Sequence, residues 1–121
     1  MRRKRDFNEI YREGAKRVGR LLVLYLLPAA DDAKAVVASR KLGKAVQRNR
    51  AKRLLREALS EEVFRVPGTA ARIRERFFPT PADGPASRDG ACGLWIVAIA
   101  RQPILSVKSA EVRNEVARLL A

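Results

Sequence analysis

Residues 39–59 read SRKLGKAVQRNRAKRLLREAL. From Lys34 to Arg56 the chain carries nine Lys or Arg and no Asp or Glu. At about 100° per residue, a helix starting near Lys44 gathers Ala51, Leu54, Leu55, Ala58 and Leu59 on one side. Asn49, Lys52, Arg53 and Arg56 recur at i, i+3, i+4 and i+7 on the other. Arg50 flanks that stripe, and Arg48 projects from the first turn. Solvated helix faces usually mix Lys with Glu one turn apart. This stripe is unmixed until Glu57. Crowded like charge destabilises a compact fold, so a polyanionic partner is expected to offset it. Arg and Lys neutralise phosphates, and Asn49 can read a base edge or orient a neighbour.

The rest of the chain fits one domain built around that helix. Its 121 residues are 47% hydrophobic, enough for a core. The 26 basic residues against 13 acidic give a net charge of +13. The excess is uneven: residues 1–20 sum to +5, 34–56 to +9 and 57–92 to −1. Two blocks imply a surface patch rather than general solubility, and the partner classes are RNA, DNA or an anionic membrane. The N-terminal MRRKRDFNEIYREG has no apolar segment after its basic residues, so no secretory signal is expected. The run LLVLYLLPAA is too short to span a bilayer. The lone Cys92 cannot form an internal disulfide and has no visible activator, which suits a reducing, cytoplasmic setting.

Absent residue types narrow the chemistry. Without histidine there is no imidazole acid–base catalysis and no histidine metal ligand. A single cysteine excludes a cysteine-rich zinc site. No glycine-rich phosphate loop occurs. A self-sufficient nuclease is the hardest function to build from this inventory.

Ahead of the basic helix, Asp6 is placed to cap a short helix, FNEIYREG, ended by Gly14, with Phe7, Ile10 and Tyr11 on one face. RVGRLLVLYLLP reads as strand, broken near Gly19 and closed by Pro28. Residues 34–39, KAVVAS, read as a short buried strand. Residues 65–92 hold four of the six prolines and form a surface excursion with one short helix near 70–78. Leu94–Ala100 is a buried strand. A last helix, capped by Ser106 or Ser109, has Val112, Val116, Leu119 and Leu120 as its core stripe. Phe7, Tyr11 and Tyr25 are open to two readings, core packing or a stacking surface for single-stranded bases. Trp95 and Phe64 are most simply core. Arg72, Arg74 and RFF at 76–78 read as a loop feature in preference to a second RNA contact.

SRKLGKAVQRNRAKRLLREAL closely resembles the signature of the bacterial ribonuclease P protein component. DFNEIYREG, LLVLYLLP, WIVAIARQP and SAEVRNEVARLL are similar to other parts of that family, so the likeness covers about three quarters of the chain; 65–92 departs from it by its length. The resemblance implies a single-domain α+β sandwich, α-β-β-β-α-β-α, with a left-handed βαβ crossover like ribosomal protein S5 domain 2. It implies a subunit of the enzyme that removes the 5′ leader of precursor tRNA, with the chemistry on a catalytic RNA subunit. On the family's motif, Arg48, Asn49, Arg50, Lys52, Arg53 and Arg56 would face that RNA. Phe7, Tyr11 and Tyr25 would line the cleft for the leader, with Arg40 and Lys41 beside it. Divalent metal, magnesium, would be held mainly by RNA, with no protein ligand assigned. A structural RNA-binding protein of the ribosome is the competing class, and composition alone would favour it. A DNA-binding basic helix is a third reading, but no heptad zipper follows Leu59.

Overall fold

The computed structural model describes residues 4–79 and 93–121. Its elements are α1 (Lys4–Glu13), β1 (Ala15–Val18), β2 (Leu22–Ala29), β3 (Ala33–Val37), α2 (Ala45–Leu59), α3 (Thr69–Phe77), β4 (Gly93–Ala100) and α4 (Ser109–Leu120). The four strands form one sheet in the order β1-β2-β4-β3. β2 is antiparallel to β1 and β4, whereas β3 runs parallel to β4. Two adjacent parallel strands need a crossover; here α2 and α3 supply it. This is the β-α-β unit that the resemblance implies, with α3 added to the expected order.

Strand alternation divides the molecule into two faces. Leu22, Leu24 and Leu26 of β2 and Leu94, Ile96 and Ala98 of β4 are fully buried beneath α2, α3 and α4. Ala51, Leu54, Leu55, Ala58 and Leu59 meet them from α2, as their spacing predicts. Val112, Val116 and Leu120 come from α4, with Leu119 packed at the margin. The opposite face is thinner. There Ile10 of α1, Leu27 and Val97 form a small second cluster, ringed by half-buried Phe7, Tyr25, Ala35, Val37, Trp95 and Ile99. One short helix cannot cover a four-stranded sheet, so this face stays partly open.

Several local expectations are corrected. Pro28 lies within β2, opposite Leu94. Beyond Leu26, β2 has outrun β1, so a missing N–H there costs no ladder bond to β1. β3 is a half-buried edge strand, because β4 inserts between it and β2. The predicted short helix is present as α3, but it is no peripheral excursion: Ala70 and Ile73 join the main core. Residues 80–92 of the excursion, with Cys92, lie outside the described residues. Neither serine caps α4; Lys108 occupies that position without a side-chain bond, and Ser109 is the first helical residue. Asp6 stands inside the first turn of α1, where its charge suits the helix N-terminus. Gly14 does end α1, by close approach: a Cβ there would lie 2.7 Å from the Leu26 carbonyl oxygen.

The sheet is tied to α4 by Glu115, which is 6% exposed. Its carboxylate accepts the backbone N–H groups of Arg20 (3.0 Å), Leu21 (2.7 Å) and Leu22 (3.1 Å), and a 2.9 Å bond from the Arg118 guanidinium. The β1–β2 turn therefore has its otherwise orphaned donors satisfied from the other end of the chain.

Candidate nucleic-acid interface

α2 begins after a 3₁₀ turn, Arg40–Leu42, whose Leu42 is buried and whose Arg40 and Lys41 are exposed. The Lys44 N–H donates to Gln47 Oε1 at 2.8 Å, closing the helix start. Gly43 is required beside this contact, since a Cβ would collide with the same Gln47 oxygen. No acidic residue stands in the first turn. Cations at a helix N-terminus oppose the helix dipole, yet both attract phosphate.

Along the outer face Asn49, Arg53 and Arg56 are exposed, and Arg48 and Lys52 are half-buried. Among the described residues no carboxylate pairs with Arg48, Lys52, Arg53 or Arg56; the ion pairs lie elsewhere, at Arg12–Glu13, Arg65–Glu61, Arg113–Glu62 and Arg118–Glu115. Arg50 differs. Its guanidinium turns inward and donates to the Val107 carbonyl at 2.8 Å, and its Nη1 is buried without a partner among the described residues. It fastens α2 to the turn before α4, so the structure separates it from the outward stripe with which the motif groups it.

The open face of the sheet carries the aromatics. Tyr11 and Tyr25 meet edge-to-face with centroids 4.9 Å apart, and Phe7 lies 6.2 Å from Tyr11. Tyr11 is 38% exposed. Desolvation, then the neighbouring Tyr25, raises the Tyr11 pKa above its ordinary value, so at neutral pH it is an O–H donor. Lys16 Nζ sits 5.7 Å from the Tyr25 ring centroid. Arg40 and Lys41 follow two residues after β3, whose Ala35 and Val37 share this face.

Trp95 belongs to this face as well, half-buried against its small core cluster. Its Nε1–H donates to Asp31 Oδ1 at 3.0 Å, while Asp32 Oδ1 accepts the Leu94 N–H at 2.9 Å. Strict alternation in LWIVAIA, with Leu94 and Ile96 inward, was the available signal that Trp95, Val97 and Ile99 point the other way. Lys16 had no comparable signal, because which strand lies beside Tyr25 is decided by pairing.

The ribonuclease P family pattern matches residues 1–121. The ribonuclease P protein component of Coprothermobacter proteolyticus is 42% identical over 64 residues, 53% of this chain and 54% of that protein. That of Geobacillus kaustophilus is 28% identical over 123 residues, covering 99% and 82%. The match with the Nitratiruptor relative spans 62% of its length, so this and the first relative are matched over little more than half. Among solved structures, the Staphylococcus aureus RNase P protein superposes with a TM-score of 0.68 at 24% identity, covering 99% of this chain and 90% of that one. The Thermotoga maritima RNase P protein gives 0.66 at 25%, covering 99% and 93%. With the family pattern running from end to end and the same fold in both solved proteins, the chain belongs to the ribonuclease P family.

Proposed function

We propose that this chain is the protein subunit of ribonuclease P, docking on the catalytic RNA through α2 and receiving the single-stranded 5′ leader of precursor tRNA on the aromatic face. The observation that carries this reading is the combination, in one small domain, of a cationic helix face without carboxylate partners among the described residues and a half-open aromatic sheet face. The first suits the phosphates of a folded RNA. The second suits unstacked bases, each worth about 1–3 kcal/mol when stacked on an aromatic ring. Holding both RNAs at once orients the scissile phosphodiester against the RNA's catalytic centre. Hydrolysis itself is assigned to the RNA, because this chain has no histidine to move a proton.

In this reading magnesium in the holoenzyme is held mainly by RNA, and no protein ligand is assigned. The partners in this reading are the RNA subunit and precursor tRNA, in the cytoplasm, with neither DNA nor a membrane. No helix of the described residues is long and apolar enough to cross a membrane. Reconstitution tests the reading. Purified protein added to a bacterial ribonuclease P RNA at low magnesium should restore leader removal, and protein alone should cleave nothing. Nuclease-free cleavage by the protein, or no effect on the RNA's magnesium requirement, would reject it.

A further inference from the structure

β1 is cationic on both of its faces. Lys16 stands on the open side, over Tyr25. One residue on, Arg17 points to the helical side, where its guanidinium lies 4.6 Å from the Phe77 ring centroid. β1 is also a free edge of the sheet, exposed from Lys16 to Val18. Beyond it α3 adds Arg72 and Arg76, one turn apart and both exposed. None of Arg17, Arg72 and Arg76 has a carboxylate partner among the described residues. Two of them are held in place: Arg17 by the Phe77 face, and Arg76 by a 3.0 Å bond to the Leu120 carbonyl at the end of α4. Held cations have less freedom to lose on meeting phosphate.

This patch is separate from the α2 stripe. α2 packs over β3 and β4, towards the other sheet edge. The patch meets the aromatic face at β1, where the consecutive cations Lys16 and Arg17 lie on opposite sides. We infer that the β1 edge and α3 form a second phosphate track, which takes the distal part of a long 5′ leader after it leaves the aromatic face over Lys16. Bases are stacked on the sheet; further along, the backbone turns over the edge and its phosphates meet Arg17, Arg72 and Arg76. The inference rests on the leader-binding reading above and adds where a longer leader goes.

The test uses reconstituted holoenzyme and precursor tRNAs with 5′ leaders of increasing length, titrated at several salt concentrations. The variants are R72Q, R17Q/R72Q and the charge-retaining R17K/R72K. Arg72 is exposed, and its side chain makes no hydrogen bond or ion pair among the described residues, so R72Q should leave folding intact even if R17Q disturbs Phe77. R17Q/R72Q should bind long-leader substrate more weakly, with the log–log salt slope lowered by about 1.4, or 0.7 for R72Q alone, at two and one single-strand phosphate contacts. Short-leader substrate and the RNA subunit should bind as to wild type, and R17K/R72K should keep the long-leader affinity. An unchanged long-leader slope in both glutamine variants overturns the inference, as does an equal loss on RNA-subunit binding. If wild type itself gains nothing from a longer leader, the aromatic-face reading fails first, and that outcome is distinct.

Discussion

Replacing Arg53 and Arg56 together with glutamine removes two exposed cations from α2 that have no internal partner among the described residues. Nothing in the fold should register the loss, and relief of like-charge repulsion should leave stability unchanged or slightly higher. Binding to the catalytic RNA should weaken. Each phosphate contact contributes about 0.7–0.9 to the slope of log affinity against log salt, so the pair should lower that slope by about 1.4–1.8. Arg50→Gln is the internal contrast, three residues away on the same helix. Its guanidinium is committed to the Val107 carbonyl. Losing that charge-assisted bond should cost about 1.5–3 kcal/mol of folding stability and leave the salt slope near wild type. Filter-binding titrations from low to high salt, with urea unfolding of each variant, read both quantities. An R50Q slope that falls as far as half of the R53Q/R56Q change, with stability intact, would show that the inward geometry is not what governs Arg50.

Tyr25→Leu keeps an apolar filler beside Leu27 and should leave RNA-subunit binding unchanged, while shrinking the affinity gained from a long leader over a one-nucleotide leader by about 1–3 kcal/mol; paired titrations check this. Glu115→Ala strips the acceptor from the buried Leu21 and Leu22 N–H groups. At about 1–3 kcal/mol for each unsatisfied donor, chemical denaturation should show a loss of roughly 2–4 kcal/mol once entering water is allowed for. The Tyr11 phenol is held above its unfolded pKa, so its contribution to stability should be fully present below pH 10 and disappear as pH rises through the folded pKa. Ultraviolet titration should show one tyrosine ionising late, and Tyr11→Phe should abolish that late step.

The basic helix was legible because its code is local. A 3.6-residue period separates Leu55 from Arg53 whatever surrounds them, and the buried set came out residue for residue. The aromatic face was half legible. Phe7 and Tyr11 share a helix, so their proximity follows from spacing, but Tyr25 joins them only through the docking of α1 on β2. Trp95 packs against the small second cluster, as a large apolar ring suggests, and only the side it takes in the sheet shows that this face is incompletely covered. Arg50 and Glu115 were beyond reach for one reason. Their partners, Val107 and the Arg20–Leu22 turn, lie 57 and 93 to 95 residues away, and no periodicity encodes a contact of that separation. α3 was visible as a short helix, but its place in the core was masked by the prolines around it.

The order of strands across the sheet has a consequence during synthesis. β4 lies between β2 and β3, so β3 has no ladder partner until residues 93–100 have left the ribosome. A nascent chain that has exposed the whole basic helix still lacks the central strand on which Leu55 and Leu59 pack, and contacts of such long sequence separation form late. For that interval the cationic segment is an amphipathic stretch without a platform, emerging beside ribosomal RNA. Closure also waits for Glu115 of α4 to reach the β1–β2 turn, so a turn at Arg20 is completed only by a residue made 95 positions later.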